Sequence, residues 1–171
     1  MIRYCTYISC LGPIHVARTG AGVSDLSIAT EADLFVKRLI RTHGVEPVYD
    51  EGAFAGLLRE LDRYFNGEWV CFKEPLDLIG TPFELSVFNA MQRIPFGKTL
   101  SYHELAAAIG RPKAQRAVGL ACGKNPVPVI VPCHRVVRSD GTIGGYTGGV
   151  WIKKALLALE GTTGIKGESL S

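Results

Sequence analysis

The chain has 171 residues, of which 47% are hydrophobic and 20% charged, and its formal net charge at pH 7 is +3. These values are typical of one folded domain or two small lobes and exclude an intrinsically disordered chain. No apolar run approaches the roughly 20 residues of a membrane-spanning helix, and the N-terminal residues lack the hydrophobic core of a signal peptide. We therefore expect a cytoplasmic protein without a membrane partner.

Residues 1–79 are predicted to form a small α/β lobe. Three β-rich runs, at 3–8, 14–18 and 23–28, are separated by Gly-containing turns. Two helices follow: the first has Thr30 as its N-cap and Gly44 beyond its end, and the second carries apolar residues on one face and stops at Asn66. The letters "WVCF", residues 69–72, predict one more strand.

Residues 80–171 contain stronger helix signals, after a connecting segment "KEPLDLIGTP". "TPFE" at Thr81 and "SYHE" at Ser101 are capping boxes, and the first has Pro at the first helical position. After Gly110 and the turn "RPKA", a further helix is predicted at Lys113–Cys122. Two short helices joined by a tight turn are typical of a helix-turn-helix. Small residues around Arg116 would let the second helix approach either a neighbouring helix or a nucleic-acid groove.

The end of the chain is predicted to hold a hairpin and a last helix. "VVRSDGTI" indicates a hairpin with Asp140 and Gly141 in its turn. The loop "GGYTGG" follows, and then a helix at Trp151–Glu160.

Charge is divided unevenly between the halves. Residues 1–79 carry eight Lys or Arg against eleven Asp or Glu, whereas residues 80–171 carry eleven against five. A basic second half favours an anionic partner such as nucleic acid. Charges scattered over a solvated surface explain the same numbers equally well.

The sequence "VIVPCHRVV" places Cys133, His134 and Arg135 together. A Cys beside a basic group is a candidate nucleophile, because such neighbours lower the pKa of the thiol. Adjacent residues of an extended segment point to opposite sides, so a water or a bend after Pro132 would have to join Cys133 to His134. Glu160 ends a helix, where the dipole disfavours negative charge. A buried partner such as His134 would explain that position, and so would simple exposure to solvent.

The five cysteines are odd in number and lack CxxC spacing, which argues against a disulfide framework. Cys5, Cys10 and His15 match no standard zinc pattern. We therefore expect no metal and no other cofactor.

The stretch "RAVGLACGKNPVPVIVPCHRVV", with "IPFGKTLSYHELA" before it and "GGYTGG" and "LLALEG" after it, resembles the O6-alkylguanine-DNA alkyltransferase family. The resemblance covers about Leu61 to Gly161. It implies a ribonuclease-H-like α/β N-terminal lobe, residues 1–79, and a helical, winged-helix-like C-terminal lobe with a helix-turn-helix, residues 80–171. It also implies a monomer that repairs double-stranded DNA containing O6-alkylguanine by a single transfer of the alkyl group to itself. Whether O4-alkylthymine is also a substrate is left open.

The family's site residues carry over position by position. The Cys of PCHR accepts the alkyl group, which implies Cys133, and a relay of Cys, water, His and Glu implies His134 and Glu160. The resemblance further assigns Asn125 to tying the Cys loop to the recognition helix, Tyr102 to assisting the guanine leaving group and Arg116 to entering the base stack. Further expected DNA contacts are Ser101, Lys113, Ala114, Gly119 and Arg135. The expected lining of the base pocket is Val136, Ser139, Tyr146, Thr147 and Gly148.

The residue types suit this chemistry independently. Displacement at an alkyl carbon needs a thiolate made by a nearby base, a donor on the purine, and a base flipped out of the duplex. Two alternatives are weaker: a non-catalytic lesion-binding protein of the alkyltransferase-like kind, which lacks the acceptor Cys, and a Cys-His hydrolase, which needs turnover and an oxyanion hole.

Overall fold

Two units make up the computed structural model, which describes residues 1–167 and divides after Ile79. The first unit contains a four-stranded sheet of order β3-β2-β1-β4, formed by β1 (Arg3–Ser9), β2 (Gly12–Arg18), β3 (Val23–Ile28) and β4 (Val48–Tyr49). The first three strands pair antiparallel, while β4 is parallel to β1. The three strands predicted from the sequence are confirmed, and β4 is an addition.

Two helices of the first unit present apolar faces to its core. They are α1 (Ala32–His43), which buries Phe35 and Leu39, and α2 (Ala55–Phe65). Gly44 ends α1 in the left-handed conformation, as predicted. The N-cap prediction is wrong: Glu31 is the N-cap, and the Thr30 hydroxyl instead donates to the carbonyl of Ile28 at 3.3 Å.

The predicted strand at residues 69–72 is also wrong. Trp69 is 66% exposed, and the segment packs along α2 rather than pairing with the sheet. The ring of Phe72 lies 5.8 Å from that of Tyr64. The next backbone N–H, that of Lys73, donates to the carboxylate of Glu60. Of the two aromatic residues that favoured a strand, Phe72 packs against a helix instead and Trp69 is exposed.

The second unit is helical, with α3 (Pro82–Met91), α4 (Tyr102–Ala108), α5 (Gln115–Gly123) and α6 (Val150–Leu159). Both capping boxes are confirmed. The Thr81 hydroxyl accepts from the N–H of Glu84, and the hydroxyl of Ser101 accepts from that of Glu104 at 3.1 Å. Helix α5 begins two residues later than predicted, so Lys113 lies before it.

A two-stranded parallel sheet replaces the predicted hairpin. Strand β5 (Leu100–Ser101) pairs with β6 (Val136–Val137). The turn exists, since the N–H of Gly141 donates to the carbonyl of Arg138 at 3.0 Å, but no second strand follows it within the described residues. Across this turn the N–H of Arg138 also donates to the carbonyl of Thr142 at 3.0 Å, but the pairing does not continue into a ladder. Within residues 1–167, no helix is long and apolar enough to cross a membrane.

Candidate active site

Cys133 lies in a 3-10 turn, Cys133–Arg135, directly after Pro132. The backbone N–H of Cys133 donates to the carbonyl of Val131 at 2.9 Å. The sequence allowed either an extended segment or a bend after Pro132, and the structure has the bend. All three side chains of the turn are buried, and that of His134 completely.

The loop before this turn is fixed by Asn125. Its side-chain oxygen accepts from the N–H of Val127 at 3.1 Å, and its side-chain nitrogen donates to the carbonyl of Val131 at 2.7 Å. Between these two points Val129 has a φ of 75°, a left-handed conformation that is rare for a β-branched residue. Such strain costs on the order of 1–3 kcal/mol and persists only where surrounding contacts enforce it. Asn125 thus holds a strained loop that presents Cys133.

The surroundings of the Cys133 thiol favour its protonated form. Burial raises the pKa of Cys133, and hydrogen bonds with Asn125 and Tyr146 and the charge of Lys153 oppose this shift without cancelling it. The thiol is a poor nucleophile compared with the thiolate. Reaction at Cys133 therefore needs a base that removes its proton.

His134, the next residue of the turn, forms a buried pair with Glu160. Nε2 of His134 lies 2.7 Å from Oε1 of Glu160, and both side chains are completely buried. The backbone N–H of Gly97 donates to the other carboxylate oxygen at 3.0 Å. Of the two explanations that the sequence allowed for Glu160, the structure has the buried one.

Arg135 belongs to the same network. Its Nε lies 2.9 Å from Oε2 of Glu160 and its Nη2 lies 2.9 Å from Oε1. Its Nη1 donates to the carbonyl of Ile94 at 2.6 Å. Arg135 was expected to contact DNA; the structure leaves it 7% exposed, with its guanidinium bound to these two groups.

Burial favours a neutral His134 imidazole at rest, against the influence of Glu160. Burial opposes ionisation of Glu160, but the hydrogen bonds and charges of His134 and Arg135 outweigh burial and hold its pKa well below the ordinary range. Burial lowers the pKa of His134, although Glu160 acts in the opposite direction. A neutral imidazole can accept a proton, and the ionised carboxylate then stabilises the imidazolium.

Tyr102, the first residue of α4, remains a proton donor. Burial raises its pKa to about 12, and the charges of Cys122 and Cys133 add to the effect. Two glycines adjoin the ring. A Cβ at Gly119 would lie 3.8 Å from the ring, and one at Gly144 would lie 3.5 Å from the hydroxyl. Any longer side chain at Gly144 would crowd the phenol.

The loop that was expected to line the base pocket is hydrogen-bonded to the end of α5. The Thr147 hydroxyl donates to the carbonyl of Gly123 at 2.9 Å. Tyr146 is half-buried and hydrogen-bonds to the thiol of Cys133, while Gly148 is exposed. The structure therefore brings Tyr146 to Cys133.

Lys153 is a buried residue that the sequence analysis missed. Its Nζ donates to the carbonyl of Val136 at 2.6 Å and to that of Gly145 at 3.2 Å. Val136 is buried in β6, whereas Ser139 is exposed in the turn beyond it. Of these two expected pocket residues, only Val136 lies beside a buried charged group.

The expected DNA contacts at the start of α5 are exposed or half-buried. Arg116 and Lys113 are exposed, and Ala114 is the half-buried N-cap. Leu120 is 72% exposed, although it is a large apolar residue. The side chain of Arg116 is therefore available to a partner.

Metal ligands are not grouped in the part of the chain that the structure describes: no cluster of three or more His, Cys, Asp or Glu side chains occurs there. His15, for example, bonds through its ring nitrogens to the Thr6 hydroxyl at 2.9 Å and the Thr30 carbonyl at 2.8 Å.

Comparison with known families covers nearly the whole chain. Residues 2–78 match the model of the ribonuclease-like domain of 6-O-methylguanine DNA methyltransferase, and residues 82–162 match the model of its DNA binding domain. The chain belongs to the 6-O-methylguanine DNA methyltransferase family. This confirms both the family resemblance and the two-part fold predicted from the sequence.

Individual members of this family are similar over almost their full length. The methylated-DNA–protein-cysteine methyltransferase of Mycobacterium tuberculosis is 44% identical over 160 residues, which are 94% of this chain and 93% of the relative. The crystal structure of M. tuberculosis OGT in complex with DNA matches with a TM-score of 0.81 and 44% identity over 92% of each chain. A methyltransferase structure from Pyrococcus kodakaraensis, at 23% identity and a TM-score of 0.57, supports the fold alone.

Proposed function

We propose that this methyltransferase repairs double-stranded DNA by moving an alkyl group from O6 of guanine to Sγ of Cys133. The observation that carries the proposal is a buried thiol whose neighbour in the chain, His134, is a buried imidazole paired with an ionised carboxylate. Membership of the family and the DNA-bound relative support DNA as the substrate.

Each group of the site has a defined part in this reaction. The thiol proton passes to His134 and Glu160 stabilises the resulting imidazolium. The thiolate forms the new S–C bond while the C–O6 bond breaks, and the electron pair remains on the purine. Tyr102 donates a hydrogen bond to the purine as this charge develops. Over the whole reaction the alkyl group replaces the thiol proton and guanine gains one proton.

The product explains why the protein acts once. A thioether is stable, and the site offers no group that would cleave it. Transfer is therefore stoichiometric, and no cofactor enters. We place the monomeric protein in the cytoplasm, where the acceptor thiol stays reduced.

Access to the lesion requires the base to leave the stack. Arg116 extends from an exposed helix face whose neighbours are small, so we assign it to the space that the flipped base leaves. The other DNA contacts are assigned to Lys113, Ala114, Gly119 and Ser101, and the pocket to Tyr146, Thr147, Gly148, Val136 and Ser139.

The acceptor is tested by replacing single thiols. Cys133→Ser should bind duplex DNA containing O6-methylguanine and leave the methyl group on it. Cys122→Ser is the matched control, since Cys122 is the other buried thiol of this unit and contacts the sulfur of Met91 at 3.6 Å; it should still transfer the methyl group to Cys133. Transfer by the Cys133→Ser variant, or a methyl group on its Cys122, would contradict the assignment.

A further inference from the structure

Lys153 is a fully buried amine in helix α6. No carboxylate lies within ion-pair distance of its Nζ among residues 1–167. Burying an ammonium without an opposite charge is costly. An apolar side chain of similar length would fill the same space without that cost, so packing does not explain a lysine here.

The two hydrogen bonds of Lys153 join the segments on either side of the site. Val136, whose carbonyl accepts one of them, is three residues after Cys133. Gly145, whose carbonyl accepts the other, directly precedes Tyr146. The amine also lies 5.9 Å from the ring centroid of Tyr102. Lys153 therefore lies among the segments that carry the acceptor, its hydrogen-bond partner and the proton donor.

The acidic groups that act on this amine are thiols. Burial lowers the pKa of Lys153 to about 8, while the charges of Cys133 and Cys122 raise it and that of Arg138 lowers it. The effect is mutual, because the charge of Lys153 lowers the pKa of Cys133. The groups that influence Cys133 from the elements around it are Tyr102, Cys122, Asn125, Tyr146 and Lys153.

We propose that Lys153 is a positioning residue that supplies the positive charge opposite the Cys133 thiolate and ties β6 to the loop before Tyr146. At neutral pH it keeps its own proton through the reaction, because the thiol proton goes to His134. The inference rests on the proposed function, since it concerns the same acceptor.

Two variants separate the charge of Lys153 from its hydrogen bonds. Lys153→Gln is neutral but keeps an N–H donor for the carbonyls, whereas Lys153→Met removes both. The rate of alkylation of Cys133 by O6-benzylguanine, followed by intact mass, is measured from pH 6 to pH 10. We expect the inflection of the pH–rate profile to move at least one unit upward in both variants, which lowers the rate at pH 7 roughly tenfold. The inflection belongs to the coupled thiol and its neighbours.

The neighbouring Lys154, which is half-buried on the same helix, provides the control. Lys154→Met should keep the profile of the unchanged protein. A Lys153→Gln variant that reacts with an unshifted inflection would overturn the charge role, even if its rate were lower at every pH. If Cys133 of the unchanged protein does not become alkylated at all, that is a separate result, which would overturn the proposed function instead.

Discussion

Glu160→Gln is the substitution whose consequences follow most directly from the structure. The Glu160 carboxylate accepts hydrogen bonds from His134 and Gly97 and forms a bidentate ion pair with Arg135. A glutamine is neutral, and its NH2 group would face donors. The guanidinium of Arg135 would remain buried without an opposite charge.

The expected loss of stability can be estimated from this geometry. Removing one partner of a buried ion pair costs about 3–5 kcal/mol. For a chain of this size, each kcal/mol lowers Tm by about 2–4 °C, so the variant should melt roughly 6–20 °C below the unchanged protein. Glu68→Gln is the matched control, because Glu68 pairs with Arg63 at 2.8 Å on the surface. Its Tm should change little.

The pH dependence of this loss has a defined sign. The pKa of Glu160 is lower in the folded protein than in the unfolded chain, so its ionic contribution is complete above the unfolded value of about 4.3. The contribution is lost as pH falls through the folded pKa. The difference in Tm between the two proteins should therefore persist from pH 5 to pH 8 and shrink only in strong acid.

The same substitution should slow alkylation. Without the carboxylate, the imidazolium of His134 is less stable, and each unit by which its pKa falls weakens the base about tenfold. Because loss of the thiol proton to this weaker base is less favourable, we expect slower alkylation by O6-benzylguanine and a raised pKa of Cys133, which moves the thiol inflection of the pH–rate profile to higher pH. If the variant melts within 2 °C of the unchanged protein and keeps its pH–rate profile, the roles assigned to the buried Glu160 network in stability and in proton transfer are refuted.

Two further predictions concern DNA and the alkylated product. Because Arg116 is exposed, Arg116→Ala should keep its Tm and its rate with free O6-benzylguanine but lose most repair of a paired lesion; equal losses on both substrates would place Arg116 in the pocket. Methylated Cys133 must fit an added group into a buried site, at a cost of about 1–3 kcal/mol. The adduct should therefore melt roughly 2–12 °C lower, and an equal or higher Tm after treatment with one equivalent of O6-methylguanine DNA would contradict this.

Features of the fold that depend on neighbours in sequence could be predicted. The capping boxes at Thr81 and Ser101 specify helix starts through contacts between residues three apart. Strand pairing depends on distant partners, so the pairing of β5 with β6 has no local signal. The strand predicted at residues 69–72 was wrong for a related reason: aromatic residues are equally suited to a strand and to packing on a helix.

In the candidate site, too, features set by neighbouring residues could be predicted and features set by distant residues could not. The order of Cys133, His134 and Glu160 was visible in the sequence, but the burial of charged side chains was not. Arg135 follows a candidate nucleophile and was assigned to DNA, although tertiary contacts enclose it. Lys153 had one available signal: it lies three and four residues before Leu156 and Leu157, which α6 buries on the same side.

The central claim is a single, irreversible transfer to Cys133. Its most direct test is the intact mass of the protein after incubation with excess duplex DNA containing O6-methylguanine, followed by peptide mapping. We predict a gain of one methyl group per molecule, located on Cys133, with one lesion repaired per protein and no further repair afterwards. An unchanged mass with bound DNA, a methyl group elsewhere, or repair beyond one lesion per molecule would contradict the account.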